Sequence, residues 1–455
     1  MSNSKIIRDL NSGNVAATMI SFALPLMLSS LLQVCYNTAD MIIVGHFIGK
    51  NGLGAVSIGG DVLHFLCFIA MGFSNAGQVI IAQFVGAGMR DKAGRTIGTL
   101  FTFLASAAIL FGAVGLTLHR EILGWVNTPD EALEYTDSYV TVCLCGLIFI
   151  YGYNSVSAVL RGMGDSRHPL IFVAVAVGLN IVLDLCFVVW LKLAVFGVAL
   201  ATVISQAAGF LLALFFLHRH REQLHLDFRI RSFRIDPEIL PPLLKLGVPM
   251  LIQSASISFS MLFVNSWINT YGVLAAAMTG IGNKLGHVVN IINIALGAAG
   301  SSMVGQAVGG ERYERVPKIL LTGLSISGAM SLAMGVTVVA FPDAVFGIFT
   351  SDAEVLRLAL TYVPVALILF AGSALRPPMS ALINGSGNFK LNLAVAMLDG
   401  VVMRIGLSLL LGLTFGFAVY GFWYGAALAG LTPFFIGGAY FVSGRWRTRK
   451  YIIRS

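Results

Sequence analysis

Charge is what this chain has least of. Only 11% of its 455 residues are Asp, Glu, Lys or Arg, where a soluble domain carries roughly 25%. A water-facing surface cannot be built from so few charges, which excludes an ordinary globular enzyme or binding module. Cysteine is also scarce. Its five copies, Cys35, Cys67, Cys143, Cys145 and Cys186, all lie in apolar runs, and none forms a CxxC pair. That pattern gives neither a disulfide framework nor a thiolate metal site, and it suits small apolar packing residues. Glycine-rich turns such as "GMGD" (162–165) lack the Lys-Ser/Thr of a P-loop, so no nucleotide or ATP site is expected. No nucleophile triad and no metal cluster can be read along the chain. The polar start "MSNSKIIRDLNSGN" has no cleavable signal pattern, and the first span is expected to act as its own insertion signal.

What is present is apolar sequence: 57% of the residues are hydrophobic. A span needs about 20 such residues. Twelve are predicted, at 15–45, 54–83, 94–118, 131–161, 167–191, 195–218, 239–270, 274–306, 315–341, 352–384, 388–413 and 418–443. The fold class is therefore all-α and integral to the membrane. The net charge is +8, and its sources cluster. "KIIR", "MRDKAGR" (89–95), "RGMGDSRH" (161–168), "HRHREQLHLDFRIRSFR" (218–234), "GGERYERVPK" (309–318), Lys390 and the tail "GRWRTRKYIIRS" each sit at a terminus or after an even-numbered span. The other connections, such as "NTPDEALEYTD" (127–137) and "TSDAEVLR" (350–357), are acidic or weakly basic. The excess of basic loops on one side predicts that both termini are cytoplasmic. It also explains the positive charge without nucleic acid.

The chain repeats itself. Shifted by 223 residues, "SIGGDVLH" (57–64) falls on "GIGNKLGH" (280–287), "AQFVGAG" (82–88) on "GQAVGGE" (305–311), and "RGMGDS" (161–166) on "NGSGNF" (384–389). A one-residue gap brings "LPLM" (24–27) onto "VPML" (248–251). The organisation expected is an N-lobe at 1–217, a cytoplasmic basic linker at 218–238 and a C-lobe at 239–455. Six spans per half mean that the repeats insert the same way, related by a pseudo-two-fold axis along the membrane normal.

Ionisable residues within spans are costly and usually functional. The first half holds Asp40, Asp61 and Asp184, all acidic; the second holds Lys284, Arg376, Asp399 and Arg404, net positive. The repeat places Asp61 on Lys284, Asn180 on Met403 and Asp184 on Leu407, so the acidic set is no inherited scaffold feature. Asn180 and Asp184, in "NIVLD", are one helical turn apart and share a face. Gln33, Tyr36, Asn37 and Asp40 share another, downstream of Pro25, which is placed to kink the span. Tyr139 and Asn154 add a phenol and an amide; Thr202 and Gln206 add a hydroxyl and an amide. A hard cation such as sodium wants oxygen donors of this kind, and a proton needs only a poorly solvated carboxylate. Asn180, Thr202 and Gln206 also make sense as plain interhelical hydrogen-bonding groups. A carboxylate is costly glue, so Asp40 and Asp184 carry the functional reading. His64 and His287 read as packing or interface residues. The second half's charges read as an internal ion-pair arrangement, with Asp399 facing Lys284 or an arginine.

The segments "YNTADMIIVGHFIG" (36–49), "AQFVGAG" (82–88), "RGMGDSRHP" (161–169), "NIVLD" (180–184) and "GVALATVISQ" (197–206) together resemble the multidrug and toxic compound extrusion (MATE) family. The similarity is nearest to its prokaryotic DinF-like branch and covers nearly the whole chain. The resemblance implies a monomeric multidrug efflux antiporter of the bacterial inner membrane. It would export cationic, amphipathic drugs against H+ or Na+ by alternating access, amid membrane lipids and without ATP or other cofactor. It implies ion coupling at Asp40, Asn180, Asp184 and Thr202, which would also be the sodium ligands. It puts Tyr36, Tyr139 and Asn154 in the cavity's polar network; Gln33, Asn37 and Gln206 extend that cavity by position, with Pro25 as hinge. Lys284, Arg376, Asp399 and Arg404 depart from branches that keep an acidic ion site in the second lobe. The alternative within the same superfamily is a lipid-linked oligosaccharide flippase, kept alive by those cations. A membrane-embedded enzyme is the third reading, and it lacks a clustered catalytic set.

Overall fold

The computed structural model describes residues 7–226 and 228–449. The basic stretches at the two chain ends therefore fall partly outside the described residues. Among the described residues twelve helical spans follow one another, eleven of them continuous and one a bent pair: α1 (Val15–Phe47), α2 (Lys50–Gly86), α3 (Arg90–Trp125), α4 (Asp130–Cys145 and Leu147–Gly162), α5 (Arg167–Trp190), α6 (Ala194–Arg219), α7 (Leu240–Asn269), α8 (Val273–Gly309), α9 (Tyr313–Ala340), α10 (Ala353–Gly385), α11 (Phe389–Thr414) and α12 (Ala418–Val442). Each lies within a few residues of its predicted apolar run. They are long because 20 or more apolar residues must satisfy every backbone group internally while crossing lipid.

The departures from straight helix have local causes. α4 bends by 51° at its break. The bend sits at Gly146, where an added Cβ would lie 2.4 Å from a Val203 methyl, so only glycine lets α6 come this close. The last six residues of α5, Leu185–Trp190, widen into π-helix directly after Asp184. α11 carries two such stretches, Leu398–Met403 and Leu410–Thr414. π-turns of this kind gather at functional or polar sites within helices.

The chain forms two compact units. Among the described residues, the first comprises 7–8 and 24–244, the second 9–23 and 245–449. The borders therefore run through α1 beside Pro25 and through α7 ahead of Pro249, whereas the sequence had suggested borders around the linker. Residues 9–23 are tied into the second unit. The Leu10 amide donates to Gln306 Oε1 at 2.9 Å, and the Arg315 guanidinium donates to the carbonyls of Leu10, Ser12 and Gly13.

Inside each unit the repeat is visible as the same contacts made twice. Gly59 on α2 packs against the Tyr139 ring on α4, and Gly282 on α8 packs against Tyr362 on α10; a Cβ would meet those rings at 2.6 and 2.5 Å. Gly162 lies on Gln78 and Ile81, as Gly385 lies on Ser301 and Val304. The α1–α2 and α7–α8 turns use Gly49 and Gly272 at φ 86° and 96°, a conformation open to glycine at little cost. Each pair is separated by the same 223 positions as the sequence repeat. The linker, in turn, belongs wholly to the first unit.

Candidate functional site

Three helices of the first unit converge on one acidic group. α1 brings Asp40, and α5 brings Asn180 and Asp184 from its last α-helical turns. Asp40 is 5% exposed and the other two are fully buried. The Asn180 amide bridges the carboxylates: its nitrogen donates to Asp40 Oδ1 at 3.0 Å and to Asp184 Oδ2 at 3.2 Å. This orientation is assigned from the neighbours, since the reverse would turn the amide oxygen toward carboxylate oxygens. Asp184 Oδ1 is buried and finds no hydrogen-bond partner among the described residues. α6 supplies Thr202, whose hydroxyl is 3.0 Å from the Tyr36 hydroxyl on α1. Tyr36 stands one helical turn before Asp40, so this contact ties the carboxylate-bearing helix to α6.

The remaining candidates divide. Tyr139 is buried in the core of the same unit, against Val140, Cys143 and Val198. Asn154 donates to the Ile150 carbonyl of its own helix at 2.9 Å. Gln33 and Asn37 are exposed on α1 and Gln206 is half-buried. None of these three hydrogen-bonds to the carboxylates among the described residues. Pro25 lies inside α1, as its sequence position suggested.

The second unit is built otherwise. Asp399, fully buried in the first π-stretch of α11, accepts from Arg376 Nη2 at 2.6 Å and from Arg404 Nη2 at 3.2 Å. Arg404 also donates to the Ala426 carbonyl at 3.3 Å. Of the two partners offered by the sequence, the arginine is the one used, twice over. Lys284 is exposed and stands 5.9 Å above the Phe349 ring instead. Asp61, His64 and His287 are exposed.

Two polar features escaped the sequence reading. Arg161 donates to Gln78 Oε1 at 2.7 Å, joining α4 to α2. The linker is pressed onto α3 at Gly94 and Gly98. Glycines four apart on a span are the signal that would have found the second contact.

Twelve apolar spans in two lobes, with a pair of buried carboxylates without a basic partner inside one of them, define a multi-pass membrane transport protein. The MatE family model matches residues 25–186 and 249–410. The two matches open at Pro25 and Pro249, the proline inside the first helix of each repeat. The chain belongs to the MatE family. It is similar to the probable multidrug resistance protein YpnP of Bacillus subtilis, with 27% identity over 443 residues, 97% of this chain and 98% of that one. It is also similar to the probable multidrug resistance protein NorM of Thermotoga maritima, with 24% identity over 446 residues, 96% and 94% of the two chains. Among solved structures, MATE in the bent conformation superposes with a TM-score of 0.89 at 23% identity, covering 100% of both chains.

Proposed function

We propose that this MATE-family transporter is a secondary active antiporter that exports cationic, amphipathic compounds in exchange for protons or sodium. The observation that carries the reading is the bridged pair Asp40–Asn180–Asp184. Two carboxylates removed from water repel strongly, because the low-dielectric interior screens them poorly. A cation or a proton between them offsets that repulsion. Asn180 suits both conditions. Its nitrogen faces the carboxylates when they need donors, and a turn of the amide would offer its oxygen to a bound sodium ion. Thr202, held against Tyr36, would close the site from α6. An organic cation entering the same lobe would compete for the same negative charge. Exchange follows if ion and drug favour different packings of the lobe.

The relatives named as multidrug resistance proteins support the drug-export reading. The basic loops support placement in a bacterial inner membrane with both termini cytoplasmic. The flippase alternative would need a cationic cavity for a pyrophosphate, and the first unit's buried site is acidic. Purified protein in liposomes tests the proposal. A cationic dye should leave against its gradient when a sodium or an inward proton gradient is imposed, and not when both are absent. Dye flux indifferent to both gradients, or translocation of a lipid-linked sugar in its place, would reject it.

A further inference from the structure

We infer that the linker and the start of α3 form a binding site for the phosphate headgroup of an anionic phospholipid. Chain segments that join lobes are often loose tethers; this one is docked. An added Cβ on Gly98 would lie 1.8 Å from the Ser232 carbonyl oxygen, and one on Gly94 2.5 Å from that of His225. Thr102 donates to the Phe233 carbonyl, the Asp236 amide donates to Thr99 Oγ1 at 3.1 Å, and Arg95 pairs with Asp236. His225 Nδ1 is 2.9 Å from Asp91. Gly94, Gly98 and Thr102 recur every four residues, so one stripe of α3 carries the linker.

Docking creates two adjoining hollows that share Arg95. One, of about 330 Å³, is lined by Arg95, Arg231 and Arg234 together with Asp236. The other, of about 460 Å³, is lined by Arg90, Lys92 and Arg95 together with Asp91 and His225. Five permanent cations thus line the hollows with two carboxylates, Asp236 held by Arg95 and Asp91 by His225, and Glu238 stands 3.4 Å from Arg95 as a third. Arg231 and Arg234 are exposed and have no ion-pair partner among the described residues. Guanidiniums left over in a concave, basic surface suit a phosphodiester, which two such forks can grip through several N–H donors at once.

The surroundings favour a lipid over a free phosphate. The hollows sit where α3 begins, at the level where a span leaves the membrane. Ile235 lines the first hollow and is 42% exposed. Phe101, six residues further along α3 than Arg95, lies about 9 Å deeper by helix rise. It packs edge-on against Phe233 at 6.3 Å, and Phe228 packs on Phe233 at 5.9 Å. A headgroup in the hollow would therefore have an apolar ledge beside it for its acyl chain. Basic pockets at the membrane surface of spanning helices take anionic headgroups by this combination.

The test uses the full-length protein in detergent, titrated with phosphatidylglycerol, phosphatidylcholine or inorganic phosphate. Phosphatidylglycerol should raise the thermal midpoint by several degrees; the other two should not. The pair Arg231→Gln/Arg234→Gln should weaken half-saturation at least fivefold. The pair Lys318→Gln/Arg445→Gln removes equal charge elsewhere and should leave it unchanged. Trypsin gives a second readout on the unaltered chain: phosphatidylglycerol should slow cleavage after Arg231 and Arg234. A parent that responds equally to phosphatidylcholine or to inorganic phosphate overturns the lipid assignment. So do equal losses in the two variant pairs, or cleavage that ignores phosphatidylglycerol.

Discussion

The two lobes carry opposite solutions to a carboxylate in the membrane. In the first, two carboxylates share one amide and keep a buried oxygen without a partner. In the second, one carboxylate is clamped by two arginines. The scaffold around them is held in common, down to Gly59 on Tyr139 and Gly282 on Tyr362. Repetition has thus preserved packing and not charge. An acidic pair without counter-charge can take up and release a cation. A carboxylate already held by fixed cations gains little from another, and this one joins α10 to α11 through Arg376.

The largest effect should come from removing the charge that makes the first lobe different. Asp40→Asn and Asp184→Asn are each expected to abolish gradient-driven dye efflux from proteoliposomes, to background within error, while expression and thermal midpoint hold. The amide replaces a repelling carboxylate by a neutral group of the same shape, so folding should not suffer. Either variant retaining full efflux would take that residue out of the coupling site and collapse the contrast between the lobes.

The second lobe should answer the same substitution in a different currency. Asp399→Asn leaves Arg376 and Arg404 facing each other without an acid between them. Breaking a buried pair in this way costs about 3–5 kcal/mol. The thermal midpoint should fall clearly, and the dependence of residual efflux on sodium and pH should match the parent. A variant as stable as the parent that had lost its ion response would mean that the second lobe, too, handles the coupling ion.

How far these lobes could be read from sequence depends on the interaction concerned. Spans were legible because about 20 apolar residues leave little choice of structure, and the repeat was legible because packing glycines recur at one spacing. Asn180 and Asp184 could be placed on one face by helical period alone. That Asp40 joins them was implied only by the family resemblance, because a third group arriving from another helix depends on how α1 and α5 pack. Asn154 shows the same gap in reverse: its amide type suited a cavity, yet it bonds to Ile150 of its own helix. Lys284 lies inside a predicted span, and its long side chain carries the charge to a point 5.9 Å from the Phe349 ring. The docked linker was hidden by its composition, since a basic stretch reads as solvated unless the glycines on the helix beneath it are considered.

The smallest expected effect sharpens the first lobe's own membership. Tyr36 and Thr202 share a hydrogen bond of 3.0 Å, and the loss of such a bond costs about 1 kcal/mol, or roughly fivefold in an equilibrium. Tyr36→Phe removes the hydroxyl alone, with its bond to Thr202 and its contact with Asp40, while the ring stays. It should raise the half-saturating ion concentration for efflux about fivefold, with the maximal rate retained. Thr202→Val removes the bond and also the oxygen proposed to close the ion site, so its effect should exceed that of Tyr36→Phe. The double variant should then fall short of the sum of the two, because the shared bond can be lost only once and paired residues are not additive. Measuring the three variants together decides the point. If Thr202→Val and Tyr36→Phe are equal, Thr202 serves only to position α1, and the ion is left to Asp40, Asn180 and Asp184.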